Sequence, residues 1–317
     1  MKRALIIGSG GQDGRLLFER LTREGWTLLG VERKSVRSHS TGVPDQPVDI
    51  LDPSSVMRAV ADFRPDAIFY LASYHHSAED KLPADDAELY RRSHDVHVLG
   101  FLNVLEAVRR EPPGARIFYA ASSHCFGVPP AKIQDETTPL NPRGMYGITK
   151  TAGVHLCRLY RASYAVQASV GFLYNHESPF RSRKFLSMKI VYAVVQISRG
   201  RRDKLVLGDL LARVDWSYAV DTVDAMMRII GLAVADDFVI AAGQSHSVEE
   251  FISIAFAKLK LDWRRHVDVD PSVIVKRETA VELIGDSKKL RAATNWSPSV
   301  TFQQLVELLV DAELQRM

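Results

Sequence analysis

The chain has little cysteine and no long apolar run, and each absence excludes a class of protein. Only two of its 317 residues are cysteines, Cys125 and Cys157, which lie far apart without metal-ligand spacing. This argues against a disulfide framework and a zinc site, so no bound metal is expected, and it fits a reducing compartment. No segment approaches the roughly 18 apolar residues of a membrane span. The sequence therefore predicts a cytoplasmic protein without membrane association.

Clustered charge is lacking as well. The 41 basic and 38 acidic residues leave a net charge of +3, and the basic residues are dispersed along the chain. Without a basic cluster or a nucleic-acid-binding motif, no nucleic-acid partner is expected. A hydrophobic content of 46% with 25% charged residues is ordinary for a globular protein, and the length allows one large domain or two smaller ones.

Short apolar runs alternate with longer amphipathic stretches in the first half of the chain. Strands are predicted at 4–7, 27–31, 67–71 and 116–120, and helices at 15–24, 54–62, 88–110 and 145–164. Because the strands are apolar throughout, they indicate an α/β fold, with a doubly wound parallel sheet covered by helices on both faces. The alternation of strands and helices ends after about residue 171. A second region, ending in a helix at 301–314, is therefore expected to lie over the first.

A glycine-rich loop follows the first strand and opens the first helix. Its glycines, Gly8, Gly11 and Gly14, have the spacing G-x-x-G-x-x-G. This spacing permits a tight turn, a close approach of the backbone to a pyrophosphate, and close packing of the helix on the strand. The pyrophosphate would then lie at the helix N-terminus. The loop therefore predicts a dinucleotide-binding domain.

Two acidic positions bear on which dinucleotide binds. A carboxylate at the end of the second strand suits the ribose 2′-hydroxyl of NAD, whereas a guanidinium suits the 2′-phosphate of NADP. Glu32 and Arg33 pull in opposite directions here, and Glu32, at the strand end itself, slightly favours NAD. Asp49 is interpreted in one of two ways: it contacts the adenine, or its carboxylate forms a turn or caps a helix.

Tyr146 and Lys150 lie four residues apart on a predicted helix, so both side chains occupy one face. An ammonium beside a phenol favours the phenolate, and the pair is expected to lower the tyrosine pKa and to transfer protons. The spacing is common by chance and carries little weight without the glycine loop. Together, the two features predict a redox site.

Several segments, which run nearly end to end, carry a resemblance to a known family. The most specific is Asn175-His176-Glu177-Ser178-Pro179. The others are the loop at 8–14, residues 139–143 before Tyr146, 207–209 with 215–216, 237–241 with 246–248, and 285–286 with 295–298. On these segments the chain resembles the extended short-chain dehydrogenase/reductases (the NAD-dependent epimerase/dehydratase family), and within them the GDP-mannose 4,6-dehydratase family.

The resemblance implies a Rossmann domain at residues 1–171, completed by about 214–242, and a smaller α/β C-terminal domain, mainly 172–317, that binds a nucleotide-diphosphate sugar. It implies oxidation of the sugar at C4 with NAD or NADP, and a homodimer or higher homo-oligomer joined through the two long helices. Tyr146 would take the proton of the 4-hydroxyl, Lys150 would hold the nicotinamide ribose, and Ser122 would orient the hydroxyl. The implied cofactor contacts are Gly8, Gly11, Gln12, Asp13, Gly14, Glu32, Arg33, Asp49, Ile50, Leu71, Ala72, Tyr146 and Lys150. The implied substrate contacts are Ser123, Asn175, Lys189, Arg213 and Arg277.

His124 departs from the family pattern. The dehydratases have a glutamate at this position, which removes the C5 proton after the 4-ketone forms. An imidazole can also act as a general base at neutral pH and can return a proton to the leaving hydroxyl. His124 is therefore expected to be either the base of a 4,6-dehydration or a residue that only shapes the substrate site.

The cations of the substrate site depart from the pattern too. In the dehydratases an arginine that contacts the diphosphate directly precedes the Asp-Trp pair, but this chain has Val214 there and Arg213 one residue earlier. Strand alternation would turn Arg213 to the opposite face unless the loop has shifted. A basic loop at 181–184 either adds cations to the site or is solvated. His75 and His76 are interpreted as structural or cofactor-lining residues rather than metal ligands.

Three functions remain open at this point. The first is a 4,6-dehydratase acting on a GDP-mannose-type sugar. The second is a 4-epimerase, 4-ketoreductase or dehydrogenase that removes no water. The third is a non-catalytic nucleotide-binding regulator, against which the intact set of Tyr146, Lys150 and Ser122 argues.

Overall fold

The computed structural model describes residues 2–32, 35–38, 47–74, 86–111, 114–273 and 281–316. Arg33, His75, His76 and Arg277 lie outside these ranges. In the first half the elements are β1 (Arg3–Ile7), α1 (Gln12–Arg23), β2 (Thr27–Glu32), β3 (Ser35–Ser38), α2 (Pro53–Phe63), β4 (Ala67–Tyr70), α3 (Asp86–His94), α4 (Gly100–Arg110), β5 (Arg116–Ser122), β6 (Ile133–Gln134) and α5 (Met145–Tyr164).

The second half has shorter strands between its helices. They are β7 (Ala168–Leu173), β8 (Asn175–Glu177), α6 (Leu186–Ser198), β9 (Leu205–Leu207), β10 (Arg213–Tyr218), α7 (Ala219–Ile230), β11 (Asp237–Ile240), β12 (Ser245–Ser247), α8 (Val248–Lys258), β13 (Val267–Val269), β14 (Ile284–Gly285), α9 (Lys288–Thr294) and α10 (Phe302–Gln315). Short 3-10 turns occur at Ser123–Cys125, Trp263–Arg265 and Pro271–Val273.

The main sheet has seven strands in the order β11-β7-β5-β4-β1-β2-β3. The first six are parallel, which confirms the Rossmann-type sheet predicted from the apolar runs. β3 is an antiparallel edge strand that the sequence interpretation did not include. Because β2 ends at Glu32 and β3 begins at Ser35, the chain has no room for the crossover of roughly a dozen residues that a parallel partner requires.

Helices cover both faces of this sheet, and a separate core lies beside it. α2, α4 and α5 pack on one face through buried side chains such as Val60, Phe101 and Val154. α1, α7 and α9 cover the other face. The third core lies among α6, α8 and α10, around the buried ring of Trp216. Within the described part of the chain, no helix is both long and apolar enough to pass through a bilayer.

The long helix predicted at 88–110 is interrupted in the structure. A π-helical turn, Asp95–Leu99, joins α3 to α4. Hydroxyl groups from the sheet compete for the helix carbonyls here, since Tyr70 donates to the carbonyl of Val96 and Tyr119 donates to that of His97 at 3.3 Å. Such insertions into the hydrogen-bond ladder are a recognised cause of irregular helix geometry, and π turns occur often at functional sites.

Candidate active site

The glycine loop lies at the carboxyl end of β1, against the residues that follow β4. Gly8 has a φ of +96°, and a Cβ at this position would lie 2.7 Å from the backbone nitrogen of Ala72. No other residue type fits this backbone and this contact. Gly11 is the N-cap of α1, so the free N–H groups of the helix start face the loop. The loop therefore has the geometry that a pyrophosphate requires.

Gln12 and Asp13 make contacts that the sequence did not predict. The Gln12 amide donates to the carbonyl of His176 at 3.0 Å and accepts from the Ser178 hydroxyl at 2.9 Å. The Asp13 carboxylate lies 2.9 Å from Nε2 of His176. Despite burial, the neighbouring imidazole lowers the pKa of Asp13, and the carboxylate in turn raises the pKa of His176. The two residues thus tie the glycine loop to β8.

The remaining cofactor candidates surround the loop. The Glu32 carboxylate lies against Gly10, where a Cβ would come within 2.9 Å of its oxygens. Leu71 and Ala72 follow β4, and the backbone N–H of Leu71 bonds to Ile7. The Ile50 carbonyl accepts from Asn103 at 2.9 Å. Asp49 accepts the backbone N–H of Leu51 at 2.9 Å, which is the turn-forming role weighed from the sequence.

Tyr146 and Lys150 lie on the first turns of α5, as predicted. The Lys150 ammonium is buried and donates to the carbonyl of Ala120 at 2.7 Å, and it lies 5.8 Å from the centre of the Tyr146 ring. Burial lowers the pKa of Lys150 to about 8.

The pKa of Tyr146 is raised, whereas the sequence predicted that Lys150 would lower it. The main cause is burial of the phenol, which disfavours the phenolate. Hydrogen bonds from Ser73 and Ser122 act in the opposite direction. The prediction of a lowered pKa was therefore wrong for the protein chain by itself.

Ser122 and His124 approach Tyr146 from the end of β5. Ser122 is the last residue of β5, and its hydroxyl accepts the backbone N–H of His124 at 3.2 Å. The His124 ring stands edge-on to the Tyr146 ring, with centroids 5.7 Å apart. Gly147 allows this approach, because a Cβ there would lie 2.6 Å from the His124 carbonyl. A phenol, a hydroxyl and an imidazole therefore meet at one point.

A cavity of about 250 Å³ opens next to this point. Its lining includes Ser123, His124 and Asn175, of which the first and third are predicted substrate contacts. Arg143 also lines it, is exposed, and forms no ion pair within the described ranges of the chain. Sequence analysis did not single out Arg143, although it stands three residues before Tyr146 in the approach to α5.

The other predicted cations are held by carboxylates or lie elsewhere. Arg213 borders the cavity, but its guanidinium lies 3.1 Å from Glu282 and 3.5 Å from Glu250. Arg181 pairs with Glu177 at 3.5 Å, and Arg183 pairs with Glu313 at 2.6 Å, so the two arginines of the basic loop are engaged within the protein. Lys189 is half-buried in the first turn of α6.

Asp215, from the Asp-Trp pair, organises the wall of the cavity. Its buried carboxylate accepts backbone N–H groups from Ala242, Gly243 and Gly285 at 3.0 to 3.1 Å. Burial raises its pKa to about 6. Asp215 thereby joins β10 to two other segments of the chain at the edge of the site.

The cysteines show no catalytic arrangement. Cys125 and Cys157 are both buried as free thiols in the core of the main sheet, and burial raises the pKa of each. Across the described ranges, no group of three or more histidine, cysteine, aspartate or glutamate side chains is placed to hold a metal ion.

A hydrogen-bonded chain behind Tyr146 was missed by sequence analysis. The Ser73 hydroxyl oxygen lies 3.5 Å from the Tyr146 oxygen and 3.1 Å from Nε2 of His97. The other ring nitrogen of His97 lies 2.8 Å from the hydroxyl of Thr149. No signal in the sequence marks His97, since histidines within a long helix are ordinary.

Together, the six-stranded parallel sheet, the glycine loop and the Tyr146–Lys150 pair define an extended short-chain dehydrogenase/reductase. A sequence model of the GDP-mannose 4,6 dehydratase family matches residues 5–309. GDP-mannose 4,6 dehydratase 1 from Arabidopsis thaliana is 35% identical, with 99% of this chain and 90% of the relative covered. The chain therefore belongs to the GDP-mannose 4,6-dehydratase family.

Solved structures share the fold across the whole chain. RMD from Pseudomonas aeruginosa, complexed with NADPH, superimposes with a TM-score of 0.82 at 22% identity, and all of both chains is covered. UDP-glucose 4-epimerase from Thermus thermophilus, in complex with NAD, gives a TM-score of 0.80 at 24% identity, with 98% of each chain covered. At this level of identity the likeness concerns the fold.

Proposed function

We propose that this protein is an NAD(P)-dependent 4,6-dehydratase that acts on a GDP-mannose-type nucleotide sugar. The observation that carries the proposal is the meeting of Tyr146, Ser122 and His124 at the mouth of the cavity that Asn175 and Arg143 line. Oxidation at C4 requires a phenol and an orienting hydroxyl, and elimination requires a further base close by. All three kinds of group are present, and the relatives of this chain bear the corresponding name.

The residues around the glycine loop fit a nicotinamide dinucleotide. The start of α1 would hold the pyrophosphate, and the Glu32 carboxylate beside Gly10 would accept from a ribose hydroxyl, which slightly favours NAD. Lys150 would hold the nicotinamide ribose. When bound, the dinucleotide supplies the acceptor and later the donor of the hydride from C4.

The protein's own groups move the protons. Tyr146, once ionised to the phenolate, accepts the proton of the 4-hydroxyl as its carbon is oxidised to the ketone, while Ser122 holds that hydroxyl. The C5 proton is then acidic, and His124 removes it as the C6 hydroxyl leaves. The imidazolium returns this proton to the departing oxygen, so that one water leaves and His124 is neutral again. The C5=C6 double bond left by the elimination would then gain the returned hydride at C6 and, at C5, the proton that Tyr146 holds, so that one water is the only net loss.

Charge around the cavity supports an anionic substrate. Arg143 carries a positive charge into a space that Asn175 also lines. A guanidinium suits the paired oxygens of a diphosphate. We assign Arg143 to the diphosphate, and Ser123 and Asn175 to the sugar. Arg213 borders the cavity and stays assigned to the substrate from the family pattern, but it would first have to leave Glu282 and Glu250. Lys189 and Arg277 remain assigned to the substrate from the family pattern.

A second candidate rests on His124 itself. Its replacement of the usual glutamate would leave oxidation at C4 intact if the imidazole did not reach C5. The enzyme would then be a 4-epimerase, a 4-ketoreductase or a dehydrogenase. We place this second because the ring faces Tyr146 across 5.7 Å, within the same site.

We further propose that two copies associate through the outer surfaces of α4 and α5. The exposed side of α5 carries apolar residues at helical spacing, with Ile148 and Leu159 40% and 52% exposed. Leu99, the last residue of the π turn before α4, is 41% exposed. An apolar stripe of this kind is more typical of an interface than of a solvated helix.

A panel of GDP-, UDP-, CDP- and dTDP-sugars, with NAD or NADP present, tests the proposed function by mass spectrometry of the products. We expect a GDP-hexose to lose the mass of one water. Tyr146→Phe should reduce turnover by roughly 100-fold or more, because the proton acceptor is gone. Tyr164→Phe, at the far end of the same helix, is the matched control. A product of unchanged mass would favour the second candidate, and no product from any sugar would refute both.

A further inference from the structure

The feature that the proposed function leaves unused is the buried hydrogen-bond chain of Ser73, His97 and Thr149. His97 is fully buried within the π-helical turn, and its ring stands edge-on to Tyr146 with centroids 5.3 Å apart. Ser73 lies between the two rings, 3.1 Å from Nε2 of His97 and 3.5 Å from the oxygen of Tyr146.

The hydrogen-bond partners determine which nitrogen of His97 carries the proton. The backbone N–H of Tyr74 points at Nε2 at 3.1 Å, so Nε2 is an acceptor. Nδ1 therefore carries the proton and donates to the Thr149 oxygen at 2.8 Å. The single hydroxyl hydrogen of Thr149 is in turn shared between the carbonyls of Met145 and Tyr146, both at 3.1 Å. The network thus fixes His97 in a single neutral tautomer.

With this tautomer, the hydroxyl hydrogen of Ser73 has two acceptors within reach. When Tyr146 is a phenol, Ser73 can donate to Nε2 of His97 and leave a lone pair for the phenol. When Tyr146 becomes a phenolate, the Ser73 hydrogen can turn to its oxygen instead. Nε2 then keeps the N–H of Tyr74 and is not left unsatisfied, so the rotation leaves no buried acceptor without a donor.

We propose that Ser73 is a positioning residue for Tyr146: a hydroxyl donor, held by His97, that turns to the tyrosine oxygen when the phenolate forms. No proton leaves the serine, and only its hydroxyl hydrogen rotates. The inference rests on the proposed role of Tyr146 as the proton acceptor. A hydrogen bond to the charged form favours that form, which offsets part of the cost of burying the phenolate.

Other groups facing the phenol act on it independently of Ser73. Lys150 faces it from α5, His124 and Cys125 from the turn after β5, and Arg181 from the loop before α6. None of them contacts Ser73 in the hydrogen bonds of the described residues. Removing the Ser73 hydroxyl therefore changes one contribution and leaves the others in place.

The test measures the titration of Tyr146 in the protein without substrate. Fluorotyrosine is incorporated throughout, which brings the phenol pKa values into an accessible range, and Tyr146→Phe assigns the fluorine resonance. We expect Ser73→Ala to raise the pKa of Tyr146 by roughly one pH unit, the effect of one lost hydrogen bond to the charged form. Ser73→Thr keeps the hydroxyl and should restore the original value.

Ser93→Ala is the matched control, since Ser93 is a buried serine of α3 whose hydroxyl has no hydrogen-bond partner among the described residues. It should leave the titration unchanged. An unchanged titration in Ser73→Ala, or an equal shift in Ser93→Ala, would overturn the inference. Because no substrate is present, these outcomes are independent of the sugar panel: a shift without any dehydrated product would refute the proposed function and not the role of Ser73.

Discussion

At the scale of single residues, burial disfavours the charged forms of both Tyr146 and Lys150. Lys150 is almost completely buried, and its pKa of about 8 means that the ammonium is only moderately favoured near neutral pH. Tyr146 has a raised pKa for the same reason. Burial therefore favours the neutral phenol of Tyr146, which must ionise before it can accept a proton, and hydrogen bonds from the Ser73 and Ser122 hydroxyls favour that ionisation.

His124 is the residue whose exchange best separates oxidation from elimination. In His124→Ala, we expect dehydrated product to form roughly 100-fold or more slowly, because the proposed base for the C5 proton is gone, while reduction of the bound cofactor by substrate continues. Absorbance of the reduced nicotinamide and mass spectrometry of the sugar measure the two steps separately. His124→Glu should recover part of the elimination.

His266→Ala provides the comparison, because His266 lies just before β13, away from the cavity and from α5. Equal loss in His124→Ala and His266→Ala would point to a general effect of removing imidazoles. Elimination that survives His124→Ala within about threefold would assign the C5 proton to another group.

The sequence predicted some site residues well and others not at all. Tyr146 and Lys150 share a helix face, and Ser122 follows a parallel strand, so regular geometry was enough to bring them to one edge of the sheet. Ser73 and His97 come from separate segments, and their contact depends on a π turn that no local pattern marks. Arg143 belongs to a matched segment, but that it has no ionic partner among the described residues could be seen only in three dimensions.

At the scale of elements, the buried pair of Asp13 and His176 links α1 to β8. Removing the carboxylate by Asp13→Asn should lower the free energy of unfolding by about 2 kcal/mol at mildly acidic pH, since a hydrogen bond to a charged group is lost. The glycine loop and β8 would then be held together less firmly.

The pH dependence of this effect follows from the two pKa shifts. The pKa of Asp13 is lowered, so its contribution exists above the usual value of 3.8 and disappears as pH falls through the lowered value. The pKa of His176 is raised, so its contribution is complete below 6.5 and disappears as pH rises through the raised value. The pair therefore contributes its full stabilisation between pH 3.8 and pH 6.5, the usual pKa values of the two groups.

Denaturant unfolding at about pH 5.5 and about pH 9 tests this reasoning, with wild type and Asp13→Asn expected to differ more at the lower pH. Glu24→Gln, which breaks the exposed helix pair with Arg20, should change stability by less than about 0.5 kcal/mol at both values. A loss in Asp13→Asn that is the same at both pH values would contradict the assignment of an ionised pair.

Elements were predicted better than their irregularities. The helix expected at 145–164 has those bounds in the structure, because apolar periodicity continues without a break up to Tyr164. The helix expected at 88–110 was wrong in its middle, where hydroxyls from Tyr70 and Tyr119 take helix carbonyls. The antiparallel edge strand β3 was missed because it is short and its partner is set by chain connection rather than by composition.

At the scale of the whole molecule, two cores meet at the active site. β11 comes from the second half of the chain but pairs with β7 in the main sheet. Asp215 binds the backbone of the segments that leave β11 and form β14, so the cavity wall depends on residues distant in sequence. Because the chain returns to the main sheet after entering the second region, the boundary between the two regions could be predicted only approximately from the sequence.

Association of two copies is the prediction that belongs to this scale. We expect Leu159→Glu to raise the dissociation constant of a dimer by roughly 100-fold or more, because a carboxylate would have to enter an apolar interface. Sedimentation velocity over a range of concentrations measures it. Val234→Glu, at a residue that is 73% exposed after α7, is the control and should not alter association. Identical sedimentation of wild type and Leu159→Glu would move the interface elsewhere.

The π turn at Asp95–Leu99 has a consequence for changes in chain length. A π turn accommodates an extra residue that a regular helix does not, and each residue of an α-helix advances the chain by about 100° around its axis. Loss of one residue here would let α3 and α4 merge into a regular helix, rotated by that angle on one side. His97 would then no longer face Ser73, although every side chain of the site was still present. The segment therefore constrains insertions and deletions more tightly than it constrains substitutions.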